Sequence, residues 1–440
     1  MNRNHEVIIV GAGLAGLACA AHLKKHNISY VIFEGGDAVG GRIRTDSVDG
    51  FLLDRGFQVL LTAYPEAKRM FNYDKLDLQK YSPGALVRSN GKFHRISDPF
   101  REPEKALETL MSPIGNLSDK LHVARMRLTL MGQTIQQTLT APETTTLEYL
   151  RGQGFSDAMI DQFFRPFFGG IFLEPHLETS SRKFAFLFRM FSAGDTAVPL
   201  LGMEELPKQL AQTLGMEHIH LNTEVSAVAD NKVVVGKGET FNAPYVVLAT
   251  NRRSLGNLLY DIDMEPTDRS TTCLYFAARK PPIEEPTLLL NGDGKGPINN
   301  LCVPSNISAA YAPEGQSLVS VTVIGTRPDN ATLESSVREQ LEDWFGSEVK
   351  DWRRLRTYRI DHALPRQNPP TNFLPQKYEV RPGTFVCGDH MSTGSINGAL
   401  ESGRMVAEAI VARSNALTQP HASSQSSAAS ADGASSSSAQ

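Results

Sequence analysis

The stretch VIIVGAGLAGLACAAHL, Val7 to Leu23, constrains the fold more than any other part of the chain. Val7 to Val10 form an apolar run short enough for a buried parallel strand, and Leu14, Leu17, Ala18 and Ala21 then recur at helical spacing. Gly11, Gly13 and Gly16 therefore stand at a strand-to-helix turn. There Gly11 permits the tight turn, Gly13 lets the backbone approach a pyrophosphate, and Gly16 allows close helix–strand packing, with the helix N-terminus facing the anion. A second strand, Tyr30 to Phe33, ends in Glu34. Its carboxylate accepts the hydroxyl of an adenosine ribose and repels a 2′-phosphate. Three glycines alone would mean only a turn. Strand, turn, helix, strand and terminal acid together predict dinucleotide binding.

Two further segments extend that reading. In GGDAVGGRIRT, directly after Glu34, Gly40 and Gly41 permit close backbone approach, and Arg42 and Arg44 supply guanidinium charge near phosphates. Near the other end, GTFVCGDHMSTGSINGALESGRMVAEAI gives a strand ending at Gly388-Asp389, a loop, and a helix from about Ile396 with small residues on its early turns. That helix start leaves room for a ligand's ring.

At 440 residues the chain exceeds what one core usually supports, so two or three domains are expected. A net charge of −4, from 44 basic and 48 acidic residues with no basic block, argues against nucleic acid as a partner. Cys19, Cys273, Cys302 and Cys387 form no C-x-x-C pair, which predicts a reducing compartment. The N-terminus enters a strand at Val7, leaving no room for a signal peptide, and no apolar run approaches the roughly 18 residues of a spanning helix. The expectation is a cytoplasmic protein, with membrane association limited to peripheral contact. Strand-like runs such as YVVLAT, CLYFA and LVSVTVI alternate with amphipathic stretches at 334–345 and 397–412, predicting α/β termini and an α+β middle. Pro420 to Gln440, almost all Ser, Ala and Gln, reads as a disordered tail.

With these residues in view, the chain resembles the flavin-containing amine oxidase superfamily, which includes monoamine and polyamine oxidases, protoporphyrinogen oxidase and phytoene desaturases. VIIVGAGLAGLACA through Glu34 resembles the FAD adenosine site, and GGRIRT the pyrophosphate loop. PYVVLAT, Pro244 to Thr250, is similar to the strand that closes over the cofactor, and CGDHMSTGSINGALESG to the C-terminal flavin motif. The resemblance implies a Rossmann-like FAD-binding domain of the glutathione-reductase-2 type with an α+β substrate domain. The FAD-binding parts would be 1–60, 195–255 and 380–413, the substrate parts 61–194 and 256–379, and the tail 414–440. It also implies cofactor contacts at Gly11, Gly13, Leu14, Ala15, Gly16, Glu34, Gly40, Gly41, Arg42, Val225, Gly388, Asp389, Ser395, Ile396 and Ala399. Val225 would meet adenine through backbone groups, Asp389 the ribityl hydroxyls or phosphates, and the Ile396 helix start the flavin N1 and C2 carbonyl.

Departures sort the chain within the superfamily. The amine oxidases' flavin-linked lysine is replaced here by Thr271 or Thr272, and the aromatic-cage tyrosine by Ser395. No cysteine lies between Val303 and Phe385, which implies noncovalent FAD. HALPRQNPP and FFRPFFGGIFLEP instead resemble protoporphyrinogen oxidase and desaturase segments. Phe163, Phe164, Phe167, Phe168, Phe172, Phe184, Phe186, Phe188 and Phe191 either line a tunnel for an apolar substrate, pack a helical core, or touch a membrane. His94, His122, His176 and His362 lack metal-ligand spacing, GDGKGP reads as a loop, and WRRLRTYRI as a charged strand or helix face. No catalytic side chain is assigned. The expected function is an FAD-dependent oxidoreductase taking a hydride from an apolar C–C or C–N bond of a small molecule and passing electrons to oxygen or a quinone. An amine oxidase releasing hydrogen peroxide and a flavin-binding polyene isomerase are the alternatives.

Overall fold

The computed structural model describes residues 5–229, 231–259, 268–326, 330–374 and 377–418. Its organising layer is a six-stranded sheet in the order Ile219–His220, Tyr30–Phe33, Val7–Val10, Tyr245–Leu248, Thr384–Val386 and Glu379–Arg381. The first five strands are parallel and the last is antiparallel. Val7 lies opposite both Tyr30 and Tyr245, so the N-terminal strand is central and covered on both faces. All four of its residues are buried, which is why VIIV is uniformly apolar and does not alternate.

The first helix, Leu14–Lys25, is rich in Ala and Leu and buries residues on nearly every side. It packs between the helix Glu205–Leu214 and the C-terminal helix Ile396–Thr418. Lys24 Nζ donates to the carbonyls of Thr213 and Leu214, the free acceptors at the end of the neighbouring helix. The C-terminal helix touches the first so closely that a Cβ on Gly403 would sit 2.1 Å from the Ala15 carbonyl oxygen. This helix runs to Thr418, past the expected end at 412 and into the segment read as tail from 414. The rest of that segment, from 419, lies outside the described residues.

A seven-stranded sheet forms the second body, in the order Arg353–Pro365, Asp268–Ala278, Ser317–Ile324, Asn300–Cys302, Leu288–Asn291, Gly84–Ser89 and Lys92–Ser97. WRRLRTYRI resolves as part of its edge strand, where exposed arginines discourage further pairing. Asp54 ties the hairpin of Thr45–Val48 and Phe51–Asp54 to this second sheet: Tyr311 Oη and Thr45 Oγ1 donate to its carboxylate at 2.7 and 2.6 Å, and Tyr275 Oη to its backbone carbonyl at 2.8 Å. The helix 165–172 packs on the second sheet, and the helices 117–132 and 146–152 pack on the helix 181–193. Asn116 and Asp119 form a reciprocal capping box at the start of the helix Leu117–Gly132. Of the nine phenylalanines, Phe164, Phe168, Phe172, Phe184 and Phe186 are fully buried, with Phe168 and Phe184 ring centroids 4.5 Å apart. For these five, core packing is the role the fold gives them.

Gly403→Val should place side-chain atoms into the Ala15 carbonyl and separate the two helices. A loss of about 3 kcal/mol or more is expected by urea unfolding. Gly13→Ala, where an added Cβ meets no atom within 4 Å, should stay within about 1 kcal/mol of the parent.

Candidate functional site

The two sheets and the helical layer enclose one cavity of about 1510 Å³, larger than the roughly 300–1,000 Å³ of an ordinary small-molecule site. Fourteen of the fifteen sequence-predicted contacts line it. The exception is Gly16, whose added Cβ would lie 2.1 Å from the Gly11 carbonyl oxygen. Its part is the tight packing of helix on strand.

At one end lies the glycine turn. Gly11 has φ +104°, and a Cβ there would stand 2.7 Å from the Ala249 carbonyl oxygen, so only glycine fits. Gly13 precedes the first helix as its cap, and no side chain satisfies that helix's free N–H groups. No acid occupies its first turn. The open space in front of Gly13 and the uncapped N–H groups together fit an anion. Beside them Glu34 is held by two backbone donors at 2.7 Å, Ala12 N–H to Oε2 and Gly36 N–H to Oε1. The carboxylate is thus fixed at the cavity wall, next to Val225 on the strand Val225–Ala229.

Gly40 and Gly41 bring the next loop over the turn. Arg42 crosses to the far end of the chain, donating from Nη2 to Asp389 Oδ1 at 2.5 Å and from Nη1 to the Ala363 carbonyl at 2.9 Å. Burial alone would raise the Asp389 carboxyl, but Arg42, His390 and Lys183 outweigh it and hold it below the usual carboxylate range. Arg44 behaves differently from Arg42. It pairs with Asp37 at 3.0 Å and faces Glu204 at 3.6 Å, away from the cavity, because the carboxylate of the 202–214 segment captures it.

Gly388, Ser395, Ile396 and Ala399 complete the opposite wall. Ser395 Oγ accepts from Gly398 N–H at 3.1 Å and so caps the C-terminal helix. Burial lifts the phenol of the adjacent Tyr64 above its usual range, against the effect of its hydrogen bond to Ser395. Of the two threonines standing where a lysine was expected, only Thr271 lines the cavity. Thr272 is fully buried and donates to the Gly325 carbonyl, since successive strand residues face opposite sides.

Past these residues the cavity becomes apolar, walled by Phe167, Ile171, Leu173, Leu187, Phe191 and Leu288. Phe167 and Phe191, 5.3 Å between centroids, are the members of the phenylalanine group that reach this wall. Asn300, Thr322 and Lys183 also line the cavity, as do the polar side chains of Asp46, Arg55, Gln58, Arg356 and Arg359. Lys183 was missed in the sequence. It stands four residues before Leu187 and eight before Phe191, a helical stripe that turns one amine into an apolar wall. The four cysteines are buried and none lines the cavity, so no thiol is offered for covalent attachment. Among the described residues, no group of three His, Cys, Asp or Glu side chains is arranged to hold a metal.

A family model described as flavin-containing amine oxidoreductase matches residues 14–411. Protoporphyrinogen oxidase 2 of Arabidopsis thaliana is 24% identical over 165 residues, covering 38% of this chain and 32% of the plant protein. The 15-cis-phytoene desaturase of Narcissus pseudonarcissus is 27% identical over 179 residues, covering 36% and 30%. The chain thus spans about a third of the length of these curated relatives. An oxidoreductase from Methanosarcina mazei shares the fold, with a TM-score of 0.70 at 18% identity over 91% of this chain and 99% of that one.

The cavity's size, the uncapped helix and the fixed carboxylate fit FAD along the wall from Gly11 to Ala399. Glu34→Ala should remove charge-assisted hydrogen bonds worth about 1.5–3 kcal/mol and weaken FAD retention tenfold or more. Equilibrium dialysis of the folded variant checks it; unchanged affinity would remove Glu34 from the site.

Proposed function

The chain belongs to the flavin-containing amine oxidoreductase family and is an FAD-dependent oxidoreductase, and on that premise we propose that it takes a hydride from an apolar C–C bond of a small molecule. The observation that carries this reading is the wall of Phe167, Ile171, Leu173, Leu187 and Phe191 continuing from the residues assigned to FAD. Such a wall gains about 25 cal/mol for each Å² of apolar ligand it covers. On the resemblance, Thr271, the member of the Thr271–Thr272 pair that lines the cavity, and Ser395 stand where amine oxidases of the superfamily carry a lysine and an aromatic ring. Neither side chain supplies a cationic donor or a ring face.

Bound FAD supplies the hydride acceptor. The chain's own residues bind, orient and exclude water. Glu34 and the glycine turn would hold the dinucleotide end, and Asp389 with Arg42 would fix the middle. The start of the helix Ile396–Thr418 would present N–H groups to developing negative charge. Electrons would leave to oxygen or a quinone.

A peripheral membrane contact belongs to the same proposal. No helix among the described residues is long and apolar enough to cross a membrane. Yet Leu107, Leu110, Met111, Leu117, Leu121, Leu128 and Met131 are exposed, together with Phe100. On the helix Leu117–Gly132 they recur at 117, 121, 128 and 131, one stripe of one face. That helix packs against Ser181–Ala193, which carries Leu187 and Phe191 of the cavity wall. The occupant we assign to this stripe is a lipid leaflet, the phase from which an apolar substrate would be drawn.

Mixed anaerobically with the FAD-loaded protein, polyenes or porphyrinogens should bleach the flavin absorbance and primary amines should not. Thr271→Ala should change the rate less than about tenfold, as loss of one neutral hydrogen bond would. Peroxide release on an amine panel would overturn the reading in favour of an amine oxidase, and substrate conversion without net flavin reduction in favour of an isomerase. In a separate assay, the protein should co-sediment with phosphatidylcholine vesicles. Leu121→Asp with Leu128→Asp should abolish sedimentation while leaving the melting temperature unchanged, because both positions are solvent-exposed. Sedimentation equal to the parent would discard the surface.

A further inference from the structure

Lys183 lies on the helix Ser181–Ala193 and is 1% exposed, yet its Nζ has no hydrogen-bond partner. An ammonium carries three donors, and burying one without acceptors is costly. A second unpartnered atom points to the same spot. Gln367 Nε2 donates to the Ser392 carbonyl at 2.6 Å, which leaves Oε1 on the other side without a donor. The two converge on Gly394: a Cβ there would lie 2.4 Å from Gln367 Oε1 and 2.9 Å from Lys183 Nζ. Gly394 and Lys183 both line the cavity, where the apolar wall meets the start of the C-terminal helix. Gly394 keeps the space clear, and its φ of +56° reinforces the choice of glycine.

We propose that Lys183, with Gln367 beside it, is the substrate-selecting residue of this cavity: it takes an apolar molecule that ends in a carboxylate and rejects an alkylammonium. The inference rests on the reading of this cavity as a substrate site. Nζ donates to the ligand's oxygens, so the buried cation gains acceptors only when the ligand is present. The Phe172 ring, centred 5.7 Å from Nζ, lies alongside. Among the described residues the charges acting on Nζ are Asp389, which favours the cation, and Arg269, which opposes it. Asp389 is already bound by Arg42, so the ammonium has no counterion of its own. Burial, only partly offset by Asp389, pushes the amine down to about 7. Below that pH it is cationic and ready for an anion; above it the amine is neutral, and anion binding must draw in a proton.

Octanoate and octylammonium, equal in chain length and opposite in charge, test this by calorimetry on the FAD-loaded protein at about pH 6 and about pH 8.5, where both probes keep their charge. Octanoate should bind at least tenfold tighter than octylammonium at the lower pH and weaken at the higher. At the higher pH its binding should take up a proton, read from the dependence of the heat on buffer ionisation. Lys183→Met should erase the preference and the proton uptake, Lys183→Arg should retain the preference without the pH dependence, and Lys183→Met should melt no lower than the parent. Octanoate affinity and pH profile unchanged in Lys183→Met, or a preference for octylammonium, would overturn the proposal. The flavin-bleaching panel fails or succeeds independently: carboxylate selection through Lys183 with no hydrocarbon oxidation would leave this inference standing and remove the proposed reaction.

Discussion

The approach of the C-terminal helix to the first helix, so near that a Cβ on Gly403 would stand 2.1 Å from the Ala15 carbonyl oxygen, is the contact on which the rest depends. Two helices can come this near only where one of them lacks a side chain, and the pair then behaves as one slab behind the parallel sheet. Because the slab joins residues 14–25 to residues 396–418, it carries the loop 388–395 directly onto the glycine turn. A cavity wall built from both ends of the chain follows from that contact. Loosening it by the width of a methyl group would widen the wall where a bound ring needs van der Waals contact.

Electrostatics reinforces the same closure. Arg42 and Asp389, 347 positions apart, meet at the cavity, and the guanidinium's hold on the carboxylate also decides how Lys183 is treated. With Asp389 committed to Arg42, the lysine amine has no hydrogen-bond partner and only an aromatic ring alongside it. His390 is buried in the same neighbourhood, and that burial lowers its imidazole to about 4 despite Asp389. The site therefore keeps a neutral ring and a wavering amine around one fixed ion pair.

What could be read from the sequence was whatever is decided within a few residues. The strand VIIV, the three glycines and Glu34 obey local geometry, and fourteen of fifteen expected contacts come together at one cavity. Strand against helix was equally legible in YVVLAT and LVSVTVI, which are short apolar runs rich in valine. Misreadings arose where a distant partner chooses. Arg42 and Arg44 differ by two positions in a loop, and only the locations of Asp389 and Glu204 decide which guanidinium enters the cavity. Thr271 and Thr272 alternate across a strand whose phase is set by its neighbours in the sheet. Lys183 was hidden by the phenylalanines around it, although its spacing to Leu187 and Phe191 was in plain view.

The central place of the first strand also dictates an order of events during synthesis. Val7–Val10 can pair with Tyr30–Phe33 as soon as both emerge, but its other edge stays open until Tyr245–Leu248 leaves the ribosome. At roughly 5–20 residues per second that interval lasts on the order of 10–50 s. For that time an apolar strand with unpaired N–H and C=O groups is displayed to the crowded surroundings. The nascent chain consequently needs that edge shielded by a chaperone, since docking of the first helix covers only a face of the strand and leaves the edge groups unpaired. The cofactor cannot shield it either, because residues 388–399 of its wall are made after Tyr245–Leu248.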